Sequence, residues 1–192
     1  MAGLIVRWMG AFWLVALILW CVAALTTKRA VQRQTGASRL LQAGLALIGL
    51  EFIFNFYPVF SGGWLDHRVV PQTGDWVLFG AALTLLGVLF AVWARLVLGR
   101  NWSGTVTIKE NHQLMLRGPY AIVRHPIYTG VLFGLLGTSL VYGLVRCFVG
   151  VLIVGVAFRL KAQIEERFMM QQFGTQYVEY RQRVRALVPF VL

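Results

Sequence analysis

Residues 76–98 read WVLFGAALTLLGVLFAVWARLVL, an apolar stretch with one charged side chain, that of Arg95. An α-helix needs about 20 mostly apolar residues to cross the hydrocarbon of a bilayer, and this stretch is long enough. Two more long apolar stretches precede it, over residues 3–25 and 40–60. The first half of the chain is therefore predicted to form three transmembrane helices.

Two further apolar stretches follow, over residues 127–145 and 147–160, and only Arg146 separates them. They predict a tight helical hairpin, whose second helix crosses with the help of shielded polar residues beyond Arg159. The first stretch of the chain exceeds the roughly 7–15 residues of a signal-peptide core, so we expect it to be retained. The predicted fold is all-α, an integral membrane protein with five transmembrane helices and a C-terminal helix.

Positive charge is distributed unevenly along the chain. It has 18 lysines and arginines against 7 acidic residues, and fifteen of the basic ones fall within residues 26–39, 95–124 and 159–185. Because basic residues concentrate on the cytoplasmic side of a cell's inner or plasma membrane, the N-terminus is expected outside. The C-terminal helix and any active site on it are then cytoplasmic. The basic residues flank apolar stretches and form no aromatic-rich face, so we expect no nucleic-acid partner.

Chemically capable side chains are densest in the segment RGPYAIVRHPIYTG, over residues 117–130. Pro126 suits the first turn of a helix, so the fourth span is expected to begin there. The N-terminus of a helix presents unpaired N–H groups and attracts anions, and Arg124 and His125 stand at this entrance. The alternative is that these side chains only anchor the protein at the level of the lipid headgroups.

A second polar segment, RLKAQIEERFMMQQFG over residues 159–174, predicts a helix that ends at Gly174. It contains adjacent glutamates, Glu165 and Glu166, close to where the chain leaves the membrane. They are either ordinary solvated charges or part of a site, since an unpaired carboxylate is costly at that depth. By helical spacing, one face of this helix holds Arg159, Gln163, Glu166 and Met170.

Several motifs in this half of the chain resemble the isoprenylcysteine carboxyl methyltransferase family. They are GPY at 118–120, VRHPxYxG at 123–130, the glutamate pair, and FGxxYxxY at 173–180 with Val184 and Pro189-Phe190 behind it. Phospholipid N-methyltransferases share much of this pattern. The resemblance covers roughly residue 101 to the C-terminus.

The resemblance implies S-adenosylmethionine as the methyl donor, held at the cytosolic face without a Rossmann fold. Its carboxylate suits Arg124 or His125, its ammonium suits a carboxylate, and its sulfonium suits a tyrosine face. Carried over residue by residue, the resemblance nominates as donor-binding residues Gln113, Leu114, Gly118, Pro119, Tyr120, Val123, Arg124, His125, Pro126, Tyr128, Glu165 and Glu166.

The acceptor is expected to be a lipid or a lipidated small molecule that enters sideways from the bilayer. A carboxylate acceptor is already ionised, and Arg183 or Arg159 is predicted to position it. An amine or thiol acceptor needs a base, for which Glu165, Glu166 or His125 could serve. The leading expectation is carboxyl O-methylation of an isoprenylcysteine-type lipid.

Other functions stay open at this stage. Within methyl transfer, the acceptor could instead be a phospholipid amine headgroup or a small thiol. A sterol-type reductase that uses NADPH is more remote, because such reductases lack the pairing His125-Pro126. A non-enzymatic membrane scaffold or transport protein is kept open by Glu51 and Asn55 inside the second span, since carboxylates within spans often mark ion paths.

The chain is predicted to be one membrane domain over residues 1–192. Residues 1–100 hold the first three spans, and residues 101–192 hold the donor-binding loop, the two-span hairpin and the catalytic tail. The three histidines are scattered, and His67 falls on the opposite face from the other two, so no metal site is expected.

Overall fold

The computed structural model describes residues 2–24, 30–33, 35–99, 107–109 and 114–187. Six α-helices run through these residues, and a short antiparallel pair of strands joins two connecting segments. The helices are α1 (Ala2–Ala24), α2 (Gly36–Phe54), α3 (Gly74–Leu98), α4 (Pro126–Tyr142), α5 (Val145–Phe173) and α6 (Thr175–Arg183). The strands are β1 (Ala30–Arg33) and β2 (Thr107–Lys109).

Four of these helices, α1, α2, α3 and α5, are long and apolar enough to cross a membrane. The fourth predicted span, α4, is apolar but has 17 residues. The helical membrane architecture is thus confirmed, and four of the five predicted spans have the length and composition of a transmembrane helix. Large apolar side chains remain exposed along α1, as expected of a surface that faces lipid.

Helix boundaries differ from the prediction where local backbone conformation decides them. The second span ends at Phe54, because Asn55 adopts the left-handed conformation with φ 51° and closes the helix through its N–H to the carbonyl of Glu51. The turn of the hairpin lies at Gly143, with φ 72°, and Arg146 belongs to α5. The fifth span and the polar segment after it form one continuous helix of 29 residues, about 43 Å long.

Helices α3 and α4 approach each other so closely that their backbones touch. A methyl group added to Gly137 would lie 2.5 Å from both the carbonyl oxygen of Gly80 and the nitrogen of Thr84. The Thr84 hydroxyl donates across the interface to the carbonyl of Gly134, at 3.1 Å. Lipid offers no hydrophobic driving force between helices, so close packing of small residues holds the pair together. This packing fixes the position of α4 beside α3.

A second close pair joins α2 and α5. A methyl group added to Gly150 would lie 2.5 Å from the carbonyl oxygen of Gly49. The buried side chains of Ile53, Leu135 and Val154 pack together beside it and bring α4 into the same core. The core therefore sets α4 and α5 side by side, with the polar second half of α5 extending past it.

Polar side chains close the end of the bundle where α2 finishes and α5 begins. Arg146 donates to Asp66 at 2.9 Å and to the carbonyls of Phe52 and Ile53 at 2.8 and 3.2 Å. The Glu51 carboxylate accepts the N–H of Tyr57 at 2.9 Å, just past the end of α2. Glu51 therefore has a local structural partner, which weakens the reading of this residue as part of an ion path.

Gly137→Ala is expected to lower the thermal unfolding midpoint in detergent, because the new methyl group meets backbone atoms that cannot move without separating α3 from α4. Overpacking of this kind costs about 1–3 kcal/mol. Gly44→Ala is the matched control, since nothing lies within 4 Å of a methyl group there. In a helix interior that change should leave stability unchanged or raise it by up to about 1 kcal/mol. Equal midpoints for both variants would contradict the packing argument.

Candidate active site

The residues Arg124-His125-Pro126, here named the RHP segment, follow a tight turn. Gly118, with φ 62°, opens a 3-10 turn over Gly118–Ala121 and lies against Val97 of α3. Pro126 then occupies the first turn of α4, as predicted. Between the turn and the helix, Arg124 and His125 are held with their side chains towards α5.

Arg124 and His125 meet the glutamate pair of α5. Arg124 donates twice to Glu166 Oε1, from Nε at 2.9 Å and from Nη2 at 2.7 Å. His125 Nε2 lies 3.2 Å from the same oxygen, and its Nδ1 lies 3.3 Å from Glu165 Oε2. The Tyr128 hydroxyl donates to Glu165. Glu166 is 5% exposed and His125 is 8% exposed, so these are not solvated surface charges.

The surroundings of His125 favour its charged form. Both ring nitrogens face carboxylate oxygens, and only an imidazolium can donate from both. Burial by itself lowers the pKa of His125, but the hydrogen bonds and charges of Glu165 and Glu166 outweigh it and raise that pKa above its ordinary value.

The C-terminal tail closes the site from the other side. The N–H groups of Arg124 and His125 donate to the carbonyls of Arg185 and Ala186, at 2.8 and 3.0 Å. Thr129 of α4 donates its hydroxyl to the carbonyl of Leu187 at 2.6 Å. The backbone amides just before α4 are thus occupied by the tail. The guanidinium of Arg124 is engaged as well, because its Nη1 donates to the carbonyls of Arg181, at 3.1 Å, and of Val184.

An aromatic stack lies behind the charge cluster. The Tyr128 ring stacks on His125 with centroids 5.5 Å apart and on Phe158 with centroids 4.7 Å apart. Lys161 Nζ lies 5.3 Å from the centre of the same ring. The ring of Tyr128 is therefore already engaged in this arrangement.

A cavity of about 220 Å³ opens beside Glu166. Four arginines and one glutamate line it, together with two apolar residues of the tail. Such a lining can bind anionic groups and one cationic group. The lining residues are Arg124, Arg159, Glu166, Arg181, Arg185, Ala186 and Leu187.

Most of the residues nominated from sequence converge here. Arg124, His125, Tyr128, Glu165 and Glu166 form the charge cluster described above. The others that the structure places nearby act through the backbone or through burial: Val123 bridges to Arg185, Tyr120 accepts from the Tyr180 hydroxyl at 2.6 Å, and Pro119 and Pro126 are buried.

Two of the nominated residues lie at the start of the described segment 114–187 or just before it. Gln113 lies outside the described residues, and Leu114 is the first residue of the segment that leads to Gly118. Among the described residues, no group of three His, Cys, Asp or Glu side chains is placed to hold a metal ion.

The two arginines predicted to position the acceptor lie in different surroundings. Arg159 lines the cavity, whereas Arg183 is exposed and donates to the carbonyl of Glu179 in its own helix, at 3.3 Å. The role of Arg183 stays a prediction. The tail arginines that line the cavity are Arg181 and Arg185, which the sequence did not single out, because it cannot tell which tail residues face α5.

Comparison with known proteins gives this site its context. The phospholipid methyltransferase family profile matches residues 76–176, which include α3, the RHP segment and both glutamates. The chain is 35% identical over 145 residues to protein-S-isoprenylcysteine O-methyltransferase B of Arabidopsis thaliana, covering 74% of this chain and 70% of that protein. It is 33% identical to the A enzyme of that plant over 116 residues, or 59% of each chain.

Similarity extends to a solved structure. That of the eukaryotic intramembrane Ras methyltransferase, isoprenylcysteine carboxyl methyltransferase, superposes with a TM-score of 0.52 at 22% identity, covering 84% of this chain and 55% of that one. The two chains share a fold. The chain thus spans less than two thirds of the second relative and of this solved protein.

Fold and site together define a helical membrane methyltransferase. Specifically, the chain belongs to the phospholipid methyltransferase family.

The raised pKa of His125 predicts a stability that depends on pH. A group whose pKa is higher in the folded protein stabilises it fully below its unfolded pKa, about 6.5 for histidine. That stabilisation is lost as the pH rises through the folded value. The thermal midpoint of detergent-solubilised protein should therefore fall from about pH 6.5 upwards, and His125→Asn should flatten this slope. His67→Asn, at an exposed histidine, should keep it; a slope unaffected by His125→Asn would refute the assignment.

Proposed function

We propose that the protein transfers a methyl group from S-adenosylmethionine to the carboxylate of an isoprenylcysteine-type lipid. One observation carries this choice of acceptor. The site gathers guanidinium groups around a cavity, while each candidate base is already engaged: Glu166 by Arg124, Glu165 by Tyr128, and His125 by both carboxylates. A carboxylate acceptor needs cations and no base, which matches this arrangement.

The side chains suit the amino-acid end of the donor. Its carboxylate would share the guanidinium of Arg124, and its ammonium would take Glu165 or Glu166 as partner. The nominated loop residues from Leu114 to Val123 would frame the remainder. When bound, the donor supplies an electrophilic methyl group on a sulfonium.

The chain's own part in the reaction is placement. Arg159 would hold the acceptor carboxylate within about 3 Å of the reacting carbon, the distance at which proximity accelerates a displacement most. The apolar tail residues Ala186 and Leu187 line the cavity and would limit the access of water to a bound acceptor. Glu166 holds Arg124 in place, and Glu165 or Glu166 would pair with the donor's ammonium.

The orientation of the protein in the membrane follows from the distribution of its basic residues. With fifteen of the 18 basic residues on one side, the N-terminus lies outside and the site faces the cytoplasm, where a lipid acceptor would slide in from the bilayer. The match to a methyltransferase family supports methyl transfer over the reductase and the scaffold that the sequence left open.

A phospholipid amine headgroup is the second candidate acceptor, favoured by the description of the family that matches the chain. Such an amine must lose a proton. One of the carboxylates would then have to leave its present partner before it could act as a base.

The two acceptors leave chemically different products. Purified protein in nanodiscs should be incubated with radiolabelled S-adenosylmethionine and, separately, with an S-prenylated cysteine acid, phosphatidylethanolamine or a small thiol. We expect label only with the prenylcysteine, released by alkali as volatile methanol, because a methyl ester hydrolyses and an N-methyl or S-methyl group does not. Alkali-stable label in phosphatidylethanolamine would establish the second candidate instead.

Glu166→Gln tests the donor site. We expect it to weaken binding of S-adenosylmethionine by about 1–3 kcal/mol, the usual effect of removing a hydrogen bond to a charged group, and His125→Ala to do the same. Isothermal titration calorimetry in detergent measures both. Glu179→Gln, at an exposed carboxylate of α6, should bind the donor like the unmodified protein. Unchanged affinity in Glu166→Gln and His125→Ala would remove the charge cluster from the donor site.

A further inference from the structure

Three arginines reach the cavity from three different parts of the chain. Arg159 comes from α5, Arg181 from α6, and Arg185 from the extended tail. The position of Arg185 is fixed by its backbone, since its carbonyl accepts the N–H of Arg124 at 2.8 Å and the residue bridges in parallel to Val123. The hydrogen bonds that dock the tail therefore also place Arg185 at the cavity.

The charges of the described lining residues do not balance. Glu166 is the one carboxylate among them, and it is already bonded to Arg124 at 2.7 Å and to His125 at 3.2 Å. Arg181 reaches its second oxygen at the longer distance of 3.5 Å. Cations gathered without an equal number of anions repel one another, and an oxyanion in their midst relieves that repulsion.

The geometry of α5 places one of the excess positive charges, that of Arg159, nearer the membrane than Glu166. Arg159 precedes Glu166 by seven residues, which is two helical turns on the same face, or about 10 Å along the axis. The chain before Arg159 is apolar and the chain after it is polar. An anion carried by a lipid would therefore reach Arg159 first and the charge cluster second.

We propose that Arg185, together with Arg159 and Arg181, forms an oxyanion subsite for the acceptor's carboxylate, and that Arg185 determines the selectivity for a charged over a neutral acceptor. The inference rests on the proposed carboxyl methylation. A guanidinium binds a carboxylate through two parallel hydrogen bonds, so three of them around one cavity hold the group in a fixed orientation. The donor's own carboxylate keeps Arg124.

The test compares Arg185→Gln with Arg167→Gln. Both residues are exposed and both variants remove one positive charge, but Arg167 lies on α5 and is not among the described residues that line the cavity. The probes are an S-prenylated cysteine acid and its carboxamide, in which a neutral NH2 group replaces one carboxylate oxygen. Their direct binding is measured, along with the acceptor KM and the donor Kd.

Arg185→Gln should raise the acceptor KM and cut the preference for acid over carboxamide about tenfold or more, a typical loss for a hydrogen bond between charged groups. The donor Kd should stay unchanged, and Arg185→Lys should recover part of the preference. Arg167→Gln should leave all three quantities unchanged. A merely structural role for Arg185 would weaken acid and carboxamide alike, so the ratio separates selectivity from damage.

Each other outcome has a definite meaning. An unchanged ratio in Arg185→Gln, or an equal fall in Arg167→Gln, overturns the subsite. A raised donor Kd with an unchanged ratio assigns Arg185 to the donor and also overturns it. The binding ratio needs no turnover, so a preference that depends on Arg185 in a protein that forms no methyl ester would refute the proposed function and leave the anion subsite standing.

Discussion

The neutralisation of two adjacent carboxylates, one buried and one partly buried, is the interaction on which the site depends. Glu165 and Glu166 follow each other on α5, and His125 lies between them with one ring nitrogen towards each. Removing one partner of a buried charge pair leaves the other uncompensated, which costs about 3–5 kcal/mol. The segment before α4 and the middle of α5 are therefore held together by these charges, and backbone hydrogen bonds from Arg124 and His125 hold the tail against them.

That cluster can form only because the helices beneath it are fixed by other means. Close backbone contact between α3 and α4, and between α2 and α5, sets the position of each helix, and hydrogen bonds from Thr84 and Arg146 reinforce it. Packing of small residues is the form of helix association that a bilayer permits without polar side chains. The helix bundle therefore provides a rigid frame. The polar residues at the start of α4 and in the second half of α5 are not needed to hold it together and can bind a ligand.

The sequence predicts what depends on composition and local spacing, and fails where tertiary contacts decide. Apolar stretches located the spans, and the RHP segment and glutamate pair located the charge cluster, because these signals are carried by neighbouring residues. The end of α2 depends on the left-handed conformation of Asn55, which no periodicity announces. The choice between Arg183 and Arg185 depends on how the tail pairs with Val123, a contact that spans more than 60 positions of the chain.

The unequal lengths of α4 and α5 make the site responsive to the thickness of the membrane around it. At 17 residues α4 is about 25 Å long, somewhat shorter than a hydrocarbon layer of about 30 Å, while α5 is about 43 Å long. A helix adapts to a thicker or thinner bilayer by tilting or by deforming the lipid near it. Arg124 lies just before the short helix and Glu166 lies on the long one. A difference between the helix lengths and the bilayer thickness would therefore shift these two charged groups relative to each other.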